Sequence, residues 1–408
     1  MAWSPKLFAR PLALAMAGTI ATMTLTTPRL AHGDTRLVPS IAVSERYDSN
    51  VFFVPGGNRE DYVTNISPQV KVDHKGRLIE GTVQGGATGE VYVKNPGLNY
   101  IALNGGVTLN LDNAVAQLVR GAGLKVSDTF YFTPQAPAFV APGSGSQVSE
   151  AFVRGIQAGR ANSLTNAGSA IGSYSLSPRV DLQATYLHQK IHFGTAFVSP
   201  TTGQFFNTTF QTVTAGPQLK VSPLDRATLT YQYQQADFSQ GGGSGGFHTH
   251  GGSMGWTRAF TPILTANVMG GMTVIEPSNR VQYQGGVSVE GKFQNTDASL
   301  SYSRGVYPSF FNTGLPLLSQ VVTATVSHRV TALLTVTANG NYAKNESVPA
   351  GTLSYESYWV TVGLNYRVSR ILNATLSYTN SEYKSQSSGQ LSRFDRNMVM
   401  IGLTAEWN

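Results

Sequence analysis

The stretch YWVTVGLNYR, residues 358–367, decides the fold. Successive side chains of a β-strand point to opposite faces, so the stretch divides into two sets. Tyr358, Val360, Val362, Leu364 and Tyr366 form an apolar set with a tyrosine at each end. Trp359, Thr361, Gly363, Asn365 and Arg367 form the other, mostly small and polar. A strand with one oily face and one wettable face, about 9–11 residues long, is what a tilted membrane-crossing strand requires.

The same alternation recurs along the chain. Ala227, Leu229, Tyr231 and Tyr233 alternate with threonines and glutamines, and Leu372, Ala374, Leu376 and Tyr378 with Asn, Thr and Ser. Val322, Ala324 and Val326 repeat the pattern, as do Val281, Tyr283, Val287 and Val289. A soluble sandwich also alternates, but its strands average about 5–6 residues. Tyrosines and phenylalanines at the ends of the apolar stripes suit an interfacial girdle.

Composition agrees. Of 408 residues, 41% are hydrophobic and only 12% charged, with 43 glycines. No long apolar run follows the first 30 residues, which excludes a mature transmembrane helix. The N-terminus has Lys6 and Arg10, then an apolar segment over 12–26, then AHG at 31–33. This pattern predicts a signal peptide over 1–33 and a mature chain over 34–408. There is no cysteine, so disulfides, thiolate metal sites and thiol nucleophiles are excluded. The net charge of +7 is scattered, without the basic run that nucleic-acid binding would show.

Eight tight connections stand out: DHKGR (73–77), LDNA (111–114), LSPR (176–179), SPLDR (222–226), FTPI (260–263), FQNTD (293–297), RVTA (329–332) and RVSR (367–370). Nine looser segments interleave with them: 48–60, 94–97, 129–162, 194–207, 239–246, 276–279, 305–316, 344–351 and 381–393. Seventeen connections join eighteen strands. The expected fold is therefore an all-β, transmembrane, antiparallel up-and-down β-barrel of about 18 strands (16–18), short turns toward the periplasm and long loops outside. The last strand places Val399, Ile401, Leu403, Ala405 and Trp407 on the lipid face. Segment 129–162 is rich in Pro, Gly and Ser and reads as a long loop, external or folded into the pore, with a short helix over its last part, 148–162.

Candidate chemistry is sparse. His248 and His250 share one strand face and offer a metal pair, but no third ligand is apparent. His188 and His192 bracket Lys190 and read as interfacial. No nucleophile elbow, phosphate loop or Ser–His pair is present, so the expectation is no enzyme, no cofactor and no metal. The expected inward residues are mostly Thr, Ser, Asn, Gln and Gly. The charged pore-lining candidates among them are Lys71, Glu80, Glu90, Asp181, Lys220, Arg280, Glu290, Lys292, Arg329 and Arg367. Charges of mixed sign, with no one-signed ring, suit neutral hydrogen-bonding solutes.

At the top of the first strand lies SERYDSNVFF, residues 44–53. Tyr47 is expected at the outer interface. Asp48 and Asn50 are expected to turn the chain into water, and Phe52 and Phe53 to pack back on the rim. Tyr47, Asp48, Ser49, Asn50, Val51 and Phe52 in this place resemble the outer-membrane β-barrel porins associated with capsule and exopolysaccharide gene clusters. The strand endings LSYSRG and LSYTNSEY are in the same style. The resemblance implies passage or export of polysaccharide.

The sequence thus points to a channel in the Gram-negative outer membrane passing hydrophilic solutes. Its partners would be lipid, the insertion machinery, a hydrophilic solute or polysaccharide and a periplasmic export partner, with no nucleic acid. The alternative is a plugged structural or adhesin-type barrel acting through its extracellular loops.

Overall fold

The computed structural model describes residues 33–53, 55–56, 60–133, 161–196, 205–240, 243–309, 314–387 and 390–407. The expected signal peptide lies outside them, save Gly33. Of the predicted helix over 148–162, only Ala161 and Asn162 are described, and they begin a strand.

Eighteen strands are present among the described residues. They are β1 (Gly33–Asp48), β2 (Asp61–Gly76), β3 (Glu80–Tyr92), β4 (Tyr100–Asn110), β5 (Ala122–Thr133) and β6 (Ala161–Ser177). Then come β7 (Val180–Ala196), β8 (Asn207–Lys220), β9 (Asp225–Gln240), β10 (Gly243–Thr261), β11 (Leu264–Glu276) and β12 (Arg280–Lys292). The last six are β13 (Thr296–Pro308), β14 (Pro316–Arg329), β15 (Leu334–Ser347), β16 (Leu353–Arg367), β17 (Leu372–Ser387) and β18 (Gln390–Glu406).

Each strand pairs antiparallel with its sequence neighbours, and β1 also pairs with β18, Ser40 opposite Glu406. The wall therefore closes on itself and leaves no edge. Following paired residues once round returns to β1 about 22 residues further on, a shear that tilts the strands by roughly 40° and gives a wall roughly 35 Å across.

The two faces follow the alternation. Ile401 is 62% exposed on the outer wall, and its neighbours Val399 and Leu403 are exposed beside it. Between them lie Met400 and Gly402, which line the interior. Tyr62, Tyr231, Tyr342, Tyr358 and Tyr378 are exposed toward the long-loop end. Tyr174, Trp256, Phe260, Phe293, Tyr366 and Trp407 are exposed toward the other. These are the two aromatic girdles of a bilayer-spanning barrel. Polar pairs interrupt the oily belt: on the outer wall Asn166 Nδ2 donates to Asp128 Oδ1 at 2.9 Å and Thr64 Oγ1 donates to Glu45 Oε2 at 2.7 Å.

Seven of the eight tight turns fall within a few residues of expectation. The exception is LDNA. There the β4–β5 connection spans 111–121 and carries a helix, α1 (Asp112–Leu118). Two expected loops are largely strand. β9 runs to Gln240 and β10 starts at Gly243, while β17 runs to Ser387 and β18 starts at Gln390. In both the paired register continues up to the turn, Gly243 opposite Gln240 and Ser387 opposite Gln390. Glycine- and serine-rich composition suggested coil, but cross-strand hydrogen bonding overrides that local preference.

Candidate pore and its outer closure

The interior differs at its two ends. At the short-turn end the inward residues meet water. Lys71, Glu80, Lys220, Glu290, Lys292, Arg329 and Arg367 are exposed there. Lys220 Nζ lies 2.7 Å from Asp181 Oδ2, and Lys71 Nζ 2.9 Å from Asp73 Oδ2. Above this rim two cavities, about 260 and 550 Å³, lie against different arcs of the wall. The smaller is lined by amides and hydroxyls of β1–β5 and β15–β18, such as Asn65, Gln69, Asn104, Asn339 and Thr361, with Tyr100 and Tyr131 among them. The larger, within β8–β14, is lined by Thr214, Gln232, Gln284, Ser288, Ser303 and Thr323 among others.

At the long-loop end most inward residues are buried, with Arg280 of β12 exposed. Ile191 of β7, Leu317 of β14, Leu353 and Tyr355 of β16, Tyr383 of β17 and Phe394 of β18 pack with Phe53 in one buried cluster. β7 and β16 stand on opposite sides of an eighteen-stranded wall, so this cluster bridges the lumen. Phe193 and Phe205 stack on each other at 4.7 Å between ring centres and join it. A second cluster holds Phe210, Phe238, Phe247, Ile275 and Val306, with Phe206 against it. Gly314, in the β13–β14 loop, sits over it. A Cβ there would lie 3.4 Å from Phe238 and 3.6 Å from Phe206, and the backbone φ of +57° is one that suits glycine.

Beside the aromatic layer lies a buried charge cluster. Arg396 donates to Asp48 through Nε at 2.9 Å and through Nη2. Arg46 Nη2 donates to Glu90 Oε2 at 3.2 Å, and Tyr92 Oη donates to the same oxygen at 2.6 Å. Two guanidiniums and two carboxylates balance, the condition under which burial of charge is tolerated. The Arg396 guanidinium also lies 4.4 Å from the Phe53 ring centre, within cation–π range.

The segment Tyr47–Phe52 has a different task from the one its sequence suggests. Asp48 does not turn the chain into water; it is 1% exposed and bound to Arg396. Ser49 N–H donates to Asn397 O at 3.0 Å, and Asn397 N–H donates to Ser49 Oγ at 2.8 Å. Asn50 Nδ2 donates to Asp395 O at 3.3 Å. All three residues therefore fasten β1 to β18 at the seam where the barrel closes. Val51 is buried against Val63, Tyr92 and Leu98, with Phe52 packed on that group. Phe53 is a member of the lumen-bridging cluster and does not lie on the rim.

Tyr47 does face outward, and its hydroxyl donates to Glu60 Oε2 at 2.8 Å. Lys94 also bonds Glu60. The Lys94 ammonium first, then the Tyr47 hydroxyl, hold the Glu60 carboxyl below its usual range, and Glu60 in turn raises Lys94. Asp61 accepts from Lys94 N–H at 2.8 Å and Asn95 N–H at 2.9 Å, which pins the β3–β4 loop onto β2.

Of the ten charged candidates, Glu90 and Arg280 lie at the long-loop end. Glu90 is buried in the charge cluster, where it borders the smaller cavity, while Arg280 is exposed. The other eight sit at or near the short-turn rim. Sequence reasoning missed Arg46, Arg396 and the inward aromatic residues. Their inward parity at the outer strand ends was the available signal.

A closed, antiparallel, eighteen-stranded wall with an oily belt and two aromatic girdles defines a porin-like β-barrel of the Gram-negative outer membrane. Residues 292–407, from the end of β12 through β18, match the family described as "Putative beta-barrel porin 2". The Tyr47–Phe52 segment lies outside that match. No curated protein matches. Among solved structures, the siderophore receptor PirA from Pseudomonas aeruginosa is 10% identical with a TM-score of 0.44, covering 94% of this chain and 81% of its own. OccK5 (OpdH) from the same organism is 11% identical with a TM-score of 0.43, covering 91% and 98%. The outer membrane protein opdK, also from P. aeruginosa, is 9% identical with a TM-score of 0.44, covering 91% and 99%.

Proposed function

We propose that this protein is an outer-membrane channel in its closed state. Its periplasmic vestibule takes a hydrated, hydrogen-bonding solute of the saccharide class, and its aromatic outer layer is the gate. The observation that carries this is the pairing of a wet, amide- and hydroxyl-lined vestibule with a dry layer directly outside it. Tyr100 and Tyr131 among amides offer the flat apolar faces and polar edges that sugar rings use.

Nine of the ten charged candidates divide accordingly, and Arg280 stands exposed at the outer end. Lys71, Glu80, Asp181, Lys220, Glu290, Lys292, Arg329 and Arg367 line the entrance, where charges of both signs and partial self-pairing give weak ion selectivity. Glu90 belongs to the gate. Polysaccharide export, with a periplasmic partner to drive it, is the role that fits an entrance open on the inner side and shut on the outer. Nothing in the chain suggests that it would supply energy itself.

A second reading has its own support. The same dry layer suits a permanently plugged barrel that works through its loops. Planar-bilayer recording separates the two. The channel reading expects small or brief currents from the wild type and severalfold larger, oligosaccharide-blocked currents from the Tyr383→Ala, Phe394→Ala double variant. Silence of that variant, with its barrel folded, would leave the plugged reading standing.

A further inference from the structure

The pairing of β10 with β11 supplies what the His248–His250 pair lacked. His248 stands opposite Glu276 in the register. His248 Nε2 and Glu276 Oε2 lie 2.6 Å apart. One donor atom from each of His248, His250 and Glu276 falls within 4.8 Å of the other two. We propose that these three side chains form a binding site for a late first-row divalent ion, Zn²⁺, Ni²⁺ or Cu²⁺.

The donor chemistry selects that class. Two imidazoles and one carboxylate suit zinc, copper or nickel, whereas magnesium and calcium prefer all-oxygen sets. Metal–nitrogen and metal–oxygen bonds of about 2.0–2.2 Å put tetrahedral ligands roughly 3.3–3.5 Å apart, so rotamer adjustments within the present spread suffice. The His248–Glu276 contact would open by less than about 1 Å.

The site's setting is defined. His248 and His250 lie on the outward parity of β10, between buried Phe247, Thr249 and Gly251. They sit above Tyr231 and Tyr233 of the outer aromatic girdle, at the level where lipid gives way to water. The Tyr231 hydroxyl lies 2.7 Å from His250 Nδ1, placed to hold that ring's orientation. Tyr233 packs against both imidazoles, with ring centres 6.4 and 5.0 Å away. The site is therefore on the outer wall, remote from the vestibule. An ion there would cross-link the β10–β11 hairpin at the membrane surface and keep at least one open position toward solvent.

The test uses the full mature chain, refolded in detergent without a polyhistidine tag. It is titrated with Zn²⁺ by calorimetry and with Cu²⁺ by electron paramagnetic resonance. The expected result is one saturable equivalent, with nitrogen couplings from two imidazoles. His250→Ala should lose one coupling and weaken Zn²⁺ binding by about tenfold or more. Glu276→Gln keeps a group able to hydrogen-bond His248 yet should also weaken binding. The His188→Ala, His192→Ala double variant, altering the outward histidines of β7, should bind as the wild type does. Absence of a saturable equivalent, or unchanged affinity in the folded His248→Ala, His250→Ala double variant, would overturn the proposal.

Discussion

The outer and inner halves of the lumen are built from the same strands by the same alternation, yet they have opposite character. In the inner half, inward side chains are Thr, Ser, Asn, Gln and exposed charges that face water. In the outer half, inward positions on β7, β14, β16, β17 and β18 carry Ile, Leu, Tyr and Phe that meet across the space. Period-two patterning specifies which face of a strand looks inward. Whether the inside is open depends on which residues occupy that face at a given height and on whether they reach the opposite wall.

Stability should divide along the same line. Arg396→Ala strips Asp48 of its hydrogen-bonded guanidinium at the β1–β18 seam and leaves it Arg46 alone, with Nε 3.9 Å away. Removing one member of a buried pair costs about 3–5 kcal/mol. The urea midpoint of the lipid-reconstituted barrel should fall further for this change than for Phe394→Ala or Lys220→Ala. Replacing both Asp48 and Arg396 with apolar residues of similar bulk should recover much of that loss.

Phe394→Ala removes a ring that touches both Tyr383, at 5.1 Å between ring centres, and Phe53, at 6.3 Å. A cavity of that kind in a dry layer costs about 3–5 kcal/mol if the surroundings do not collapse into it. Water can enter this space from the vestibule, so a smaller loss is expected, accompanied by higher ionic conductance.

Lys220→Ala breaks an ion pair that is half exposed at the inner rim. Such pairs contribute about 0–1 kcal/mol, so the urea midpoint should move little. Ion selectivity should shift toward cations, because Asp181 is left unpaired at the entrance.

The smallest effect concerns the outer loops. The Glu60 carboxyl is held below its usual range by Lys94 and then by Tyr47. A depressed carboxyl stabilises above its unfolded value and loses that contribution as pH falls through its folded value. Exchange of the Lys94 Nζ protons with water should therefore lose its protection only in acid, below the ordinary glutamate range. Glu60→Gln should show fast exchange at neutral pH and lose the dependence.

Much of the barrel was legible in the sequence. YWVTVGLNYR shows its outer face residue by residue, because alternation is local and the oily set ends in tyrosines at the two girdles. The turns were readable where Ser, Asp, Asn or Pro fixed them. LDNA misled because a helix of seven residues needs no strong sequence signal when its neighbours are anchored strands. The glycine-rich segment at 239–246 misled because its pairing partners, not its composition, hold it extended. The closure was the least legible part. Asp48 and Arg396 are separated by 348 residues and meet only because β1 pairs with β18. Likewise Glu276 becomes a partner of His248 only through the β10–β11 register.

The asymmetry of the lumen can be measured directly because the chain has no cysteine. Thr249, inward in the outer half, is 1% exposed, while Asn365, inward near the inner rim, is exposed. Thr249→Cys and Asn365→Cys would each be reacted with a charged, membrane-impermeant maleimide in the folded barrel. The cysteine at 365 should label at a rate near that of a free thiol. The one at 249 should label at least tenfold more slowly, the factor that about 1.4 kcal/mol of added barrier sets. Equal rates at the two positions would mean that the outer half is as wet as the inner, and that no dry layer closes the lumen.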